Sequence, residues 1–153
     1  GKKSDFYIDG KQVTLDPHGL VLSAKVILSM LAGVRVDAVG GPTLGADPIA
    51  AAVALLSSNR DQPLKAFIVR KEAKQHGLQK MIEGPPLREG DRVVMVEDVV
   101  TTGGSVLKAI QEVEKLKAKV VKVICLVDRG EGASEVLASY NYLPIFTLQD
   151  LGL

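Results

Sequence analysis

The chain has 153 residues, 46% of them apolar, enough to bury a core without disulfide or metal staples. Nineteen basic and eighteen acidic side chains leave a formal charge of +1, which argues against a surface devoted to gripping nucleic acid or an anionic membrane. A lone cysteine, Cys125, excludes an internal disulfide framework, and no apolar run approaches the about 18 residues of a membrane span. With no charged and apolar leader pattern at the start, the expectation is a soluble, cytoplasmic protein.

In chain order, Phe6-Tyr7-Ile8 and Val13-Thr14-Leu15 read as a hairpin-like pair around Asp9-Gly10. Asp16-Pro17 then supplies an N-cap and a proline at the first helical position, and Gly33 marks the stop. Between them Leu20, Ala24, Ile27, Leu28 and Leu31 recur at helical spacing. Val36–Val39 predicts a strand ending at Gly40-Gly41-Pro42, followed by an alanine-rich helix from about Asp47 to Ser57. Leu64–Val69 predicts the next strand, after which Arg70–Pro86 is long, polar and without pattern. Val93–Val96 and Val120–Val127 are continuous apolar runs, as strands covered on both faces require. Ser105 is placed to cap a helix with Val106, Ala109, Ile110, Val113 and Leu116 on one face. Ala133–Tyr140 predicts a last helix and Ile145–Leu148 a last strand.

Alternating strands and helices predict an α/β domain with a doubly wound, mostly parallel sheet. Ligands of such sheets bind beyond the carboxyl ends of the strands. That rule selects Gly40–Asp47, Arg70–Pro86, Glu97–Ser105 and Asp128–Gly132, each following a predicted strand.

The stretch Val93–Ser105 holds the most chemistry. Its strand ends in Glu97-Asp98 and runs through Val99, Val100, Thr101, Thr102, Gly103 and Gly104 to Ser105. The glycines allow close backbone approach, and the hydroxyls and the following helix N-terminus can cradle a phosphate. Two carboxylates would repel a phosphate but suit a sugar diol or a cation beside it, so a ribose 5-phosphate satisfies both halves. Neither a Walker loop nor a G-x-G-x-x-G fingerprint occurs. The segment Arg70-Lys71-Glu72-Ala73-Lys74-Gln75-His76-Gly77 is basic and suits the neutralisation of a polyanion. Cys125, inside an apolar run, reads as a buried and inert thiol.

These two segments carry a resemblance. Arg70–Gly77 is similar to the catalytic loop (R-K-x-x-K-x-H-G) of orotate phosphoribosyltransferases, and Val96–Ser105 to the phosphoribosyl pyrophosphate (PRPP) motif of the type I phosphoribosyltransferase family. The similarity extends from Phe6-Tyr7 through Asp128-Arg129 to Asp150-Leu151-Gly152-Leu153. It implies the type I fold over residues 1–153 as one domain, with a mobile catalytic loop at about 71–86. It also implies transfer of the 5-phosphoribosyl group from PRPP to orotate, giving orotidine 5′-monophosphate and pyrophosphate on the route to UMP. Mg²⁺ would be held mainly by PRPP, and a homodimer would share the loop between subunits; no nucleic acid or membrane partner is implied.

By the same resemblance Arg70, Lys71, Lys74 and His76 contact the pyrophosphate, Glu97 and Asp98 the ribose hydroxyls, and the Val99–Ser105 turn the 5-phosphate. Lys74 and Asp98 carry the catalytic roles. Thr101, Arg129, Tyr7 and Ile8 face orotate, and Thr43, Leu44 and Gly45 form the pyrophosphate loop. Two places depart from the family pattern. Leu44-Gly45 stands where orotate enzymes often carry Tyr-Lys, which shifts binding onto backbone N–H groups, and Asp47 reads as the cap of the following helix. The family carries a Leu-Lys-Ser-Gly-like stretch whose lysine meets orotate, and Gly1-Lys2-Lys3-Ser4 begins just after that lysine, so the N-terminal hood is expected to be truncated and that role is not carried over to Lys2 or Lys3. A transferase for another base and a non-catalytic regulator that senses PRPP or binds RNA are the competing readings. The Arg70–Gly77 loop and Arg129 weigh against the first, and the catalytic lysines and the 4% aromatic content against the second.

Overall fold

The computed structural model describes residues 6–75 and 80–153. A six-stranded sheet forms its centre. The strands are β1 (Ala38–Pro42), β2 (Lys65–Val69), β3 (Ile82–Glu83), β4 (Arg92–Val100), β5 (Lys119–Asp128) and β6 (Tyr142–Thr147), in the spatial order β3-β2-β1-β4-β5-β6. All neighbours pair in parallel except β3, which runs antiparallel to β2 at the edge. The helices are α1 (Lys11–Thr14), α2 (Pro17–Met30), α3 (Ala46–Ser57), α4 (Gly104–Lys115) and α5 (Ala133–Val136). None of them is long and apolar enough to cross a membrane.

The apolar runs fill two layers because successive strand residues face opposite sides of the sheet. Val93 and Met95 of β4, with Val123 and Cys125 of β5, pack under Val106, Ile110 and Val113 of α4. Val94 and Val96, with Ile124, pack under Ile27 of α2 and Ile49 and Val53 of α3. Each such side chain, fully buried, contributes about 1.5–3 kcal/mol of transfer free energy. The α2 stripe is as predicted at Ala24, Ile27, Leu28 and Leu31, with Leu20 only partly covered. The Asp16 carboxylate caps α2 by accepting from the N–H groups of His18 (3.1 Å) and Gly19 (2.8 Å).

Several local expectations are corrected. The segment expected to fold as a hairpin is instead the helical turn α1, because Asp9 accepts from the Lys11 N–H at 3.1 Å and winds the chain. Gly40 and Gly41 lie inside β1 rather than after it. A Cβ at Gly40 would sit 2.5 Å from the Phe67 ring, and one at Gly41 would run into the Val96 carbonyl, so these glycines let three strands approach closely. Ser105 does not cap α4: Gly103 does, at φ +85°, where a Cβ would also press on Leu137 at 3.3 Å. The expected helix Ala133–Tyr140 divides into α5 and a 3₁₀ turn at Ala138–Tyr140, and the final strand starts at Tyr142. The segment 71–86 is not loop throughout. Its end forms β3, and the Arg70 N–H donates to the Met81 carbonyl at 2.7 Å.

Because β1, β2, β4 and β5 are parallel, their carboxyl ends lie along one edge. The chain winds outward from β1 to β2 and the other way from β4 to β6, so the switch of direction falls between β1 and β4. That crevice is where this architecture holds ligands.

Candidate active site

The floor of the crevice is the end of β4. Glu97 Oε1 accepts from the Asp98 N–H at 3.0 Å, and Asp98 Oδ1 accepts from the Val99 N–H at 2.7 Å. The Gly45 backbone lies directly on this pair: a Cβ there would run into Asp98 Oδ1 and Glu97 Oε1. Burial beneath that turn, and then the hydrogen bond to Asp98, push the Glu97 carboxyl up to about 9. The shift favours the protonated form of Glu97, which can share its proton with Asp98. A pair with one acidic proton and several acceptor oxygens matches a sugar diol, each of whose hydroxyls both donates and accepts.

This shift has a sign in stability. A carboxyl whose folded value lies above its ordinary 4.5 favours the folded chain in its protonated form. Its contribution is complete below about 4.5 and is lost as pH rises toward about 9. The urea midpoint of the unliganded protein is expected to fall across that window, and Glu97→Gln, which cannot ionise, to flatten the fall. Equal slopes for both proteins would remove the shared proton.

Above this floor opens a cavity of about 780 Å³. Thr43, Leu44 and Gly45 line it from the β1 side, Arg70 and Lys71 from the end of β2, and Glu97, Asp98, Val99 and Ser105 from β4 and α4. Asp47 lies in the first turn of α3 and accepts from the Thr43 hydroxyl at 2.6 Å. It braces the loop rather than capping the helix, whose N-cap is Gly45. Thr101 and Thr102 are exposed at the turn into α4, where the first N–H groups of a helix lack intrahelical partners. Val100 is buried, and its carbonyl accepts from the Arg129 N–H at 3.0 Å, so the 101–105 turn adjoins the 128–132 turn.

The basic arm rests on β3. Lys74 Nζ lies 3.1 Å and Arg70 Nη1 3.8 Å from Glu83 Oε1, and Lys74 does not reach the cavity wall. His76 lies outside the described residues.

On the β5 side Asp128 accepts from the Gly130 N–H at 2.7 Å and from the Tyr142 hydroxyl at 3.0 Å, which shapes the turn carrying Arg129. Cys125 Sγ lies 3.1 Å from the same hydroxyl, and burial pushes its thiol up to about 12, the inert state expected of it. The Arg129 guanidinium lies 5.0 Å from the Phe6 ring centroid and 3.5 Å, at Nε, from Glu131. Tyr7 is 81% exposed and Ile8 partly covered; neither lines the cavity.

The structure thus gathers Thr43–Gly45, Arg70, Lys71, Glu97–Val99 and Ser105, and sets Arg129 with Phe6 to one side. Sequence reasoning missed Lys11, Phe6, Glu83 and Tyr142. Glu83 follows an apolar residue in an unpatterned stretch, and Phe6 had only its neighbours' roles as a signal.

An acid pair at the switch point, a glycine-sealed turn opposite and a basic arm together suit a phosphorylated sugar. The family model of the phosphoribosyl transferase domain matches residues 21–146, and the chain belongs to that family. The particular branch follows from its relatives. The orotate phosphoribosyltransferase of Nostoc sp. is 46% identical over 153 residues, covering 99% of this chain and 74% of that protein. The phosphoribosyltransferase structure from Corynebacterium diphtheriae superposes with a TM-score of 0.87 at 40% identity, covering 99% of this chain and 88% of that one. The Mycobacterium tuberculosis orotate phosphoribosyltransferase, solved with 5-phospho-alpha-D-ribosyl 1-diphosphate (PRPP), superposes with a TM-score of 0.81 at 36% identity, covering 96% and 84%. Among the phosphoribosyltransferases, this chain falls with those that act on orotate.

Proposed function

We propose that this chain transfers the 5-phosphoribosyl group from PRPP to orotate, yielding orotidine 5′-monophosphate and pyrophosphate for pyrimidine synthesis. The observation that carries this reading is the single cavity faced by the Thr43–Gly45 turn, the Glu97–Asp98 pair and the root of the basic arm. The 5-phosphate takes the N–H and hydroxyl groups of Thr101–Ser105, and the ribose hydroxyls take Glu97 and Asp98. Thr43–Gly45 and the arm's Arg70, Lys71, Lys74 and His76 take the diphosphate. Arg129 presents its guanidinium to the orotate carboxylate, beside Thr101, Tyr7 and Ile8.

As the C1–oxygen bond to pyrophosphate breaks, the electron pair leaves with the diphosphate, and the orotate ring nitrogen, bound as the anion after giving its proton to solvent, bonds to C1 from the opposite face. Lys74 and Lys71 stabilise the departing charge, and Asp98 the positive charge on the ribose. The residues fit Mg²⁺ as a companion of PRPP: the Asp98 carboxylate, and Glu97 once it gives up its proton, would hold that ion beside the substrate phosphates, whose charge it would neutralise. Among the described residues no group of three or more potential ligands could hold a metal alone.

Residues 1–153 act on this reading as one transferase domain in the cytoplasm. Exposed Val13 of α1, Leu15 just after it, and Val21, Leu22 and Val26 of α2 support a homodimer, within which the loop serves the neighbouring site.

The test is orotate consumption with PRPP, with and without Mg²⁺, beside uracil, adenine and hypoxanthine. Turnover of orotate alone, dependent on Mg²⁺, is the expected result; turnover of another base, or of none despite PRPP binding, overturns the reading. Arg129→Ala is expected to raise the orotate KM by about 10- to 100-fold, the worth of a charged hydrogen bond, with the PRPP KM little changed.

A further inference from the structure

We propose that Lys11, on the α1 turn, binds the diphosphate of PRPP and supplies the positive charge that the Thr43–Gly45 turn lacks. The proposal rests on the reading of this cavity as the PRPP site, and adds to it a residue from a segment whose sequence gave no sign of a role.

Geometry carries it first. A Cβ at Gly10 would lie 2.7 Å from both Cβ and Oδ2 of Asp98, and one at Gly45 would run into Oδ1 of the same carboxylate. The α1 turn and the turn after β1 therefore both close on Asp98. Lys11 follows Gly10 and lines the cavity together with Thr43, Leu44 and Gly45.

The ammonium is also held in place. Asp9 accepts from the Lys11 backbone N–H at 3.1 Å, and its Oδ1 lies 3.2 Å from Lys11 Nζ. One carboxylate thus winds the turn and steadies the side chain that the turn presents.

Charge completes the argument. Thr43-Leu44-Gly45 has no cationic side chain, so it offers a diphosphate only N–H groups and a hydroxyl. The Asp98 carboxylate on the floor beside it repels a polyanion. Arg70 and Lys71 enter the cavity from the β2 side, and Lys74 lies against Glu83. Lys11 comes from the α1 side of the cavity, and the neighbouring Asp9, then Asp98, raise its pKa. A diphosphate resting on the Thr43–Gly45 backbone meets this ammonium across the cavity.

The experiment is calorimetric titration of inorganic pyrophosphate and of PRPP into the wild-type chain, Lys11→Ala, Lys11→Gln and Lys11→Arg, with steady-state kinetics on each. Loss of one charged hydrogen bond predicts pyrophosphate and PRPP binding weaker by about 10- to 100-fold in the alanine and glutamine variants. The arginine variant recovers most of it, and the orotate KM stays within about twofold of wild type. Unchanged affinity for both anions, or a loss confined to orotate, overturns the proposal even where the wild-type chain binds PRPP and turns over orotate. A wild-type chain that binds neither anion removes the PRPP reading itself, and the Lys11 role with it. Because Lys11 is partly exposed, unfolding of the alanine variant is not expected; should it occur, the glutamine variant, which keeps a long polar side chain without the charge, decides.

Discussion

Lys74→Ala is expected to lower turnover at saturating substrates by about 100- to 1,000-fold, the usual loss when one transition-state donor is removed. The thermal midpoint should hardly move. Lys74 is 47% exposed, and its partner in the structure is the partly exposed Glu83. Surface pairs of this kind contribute about 0–1 kcal/mol, so little stability goes with the ammonium. The same magnitude bears on mechanism. To reach the departing diphosphate Lys74 must leave Glu83, and a bond that weak cannot hold it against a polyanion. Rapid-quench and steady-state rates at saturating PRPP and orotate measure the loss, and unchanged turnover would remove Lys74 from the chemistry.

Gly45→Ala is expected to be nearly as damaging for a different reason. Gly45 has φ −61° and ψ −36°, a conformation alanine adopts freely, so the backbone poses no objection. The obstacle is the added methyl, which lands on the carboxylates of Glu97 and Asp98. Either the turn lifts or the acids rotate, and each displaces groups that hold PRPP. A shift of about 1 Å at such a site costs about 100-fold. The expected outcome is a fall of that order in kcat/KM for PRPP, with the far-ultraviolet spectrum retained. Wild-type kinetics would mean that the crevice tolerates an open floor, and the close packing of β1 against β4 would lose its functional meaning.

The alternation of elements and the two-sided burial of β4 and β5 were legible in the sequence because both depend on local pattern. Val93–Val96 and Val120–Val127 could only be covered strands, and Asp16-Pro17 could only open a helix. What was hidden depends on contacts distant in sequence. Gly40-Gly41 looked like a strand end, since nothing nearby announces that Phe67 and Val96 need the space of two side chains. Asp9-Gly10-Lys11 looked like a hairpin turn, and its helical winding follows from one side-chain cap that competes with strand pairing. Within the site, the motifs announced Glu97, Asp98 and the basic arm, because their residue types are unusual where they stand. Glu83 and Lys11 are ordinary surface residues by composition and acquire meaning only from what they face.

The strand β3 has a consequence for how this enzyme family can vary. Ile82–Glu83 is laced to Ile68–Val69, and the Arg70 N–H is fastened to the Met81 carbonyl, so the two stems of the basic segment are tied together at its base. Lengthening a segment with tethered ends costs only about 0.6 kcal/mol per doubling. The knot at the base keeps such changes from reaching the sheet. The length of the segment is therefore free to change while its basic root and the acid pair stay in register, a separation of adjustable span from fixed anvil.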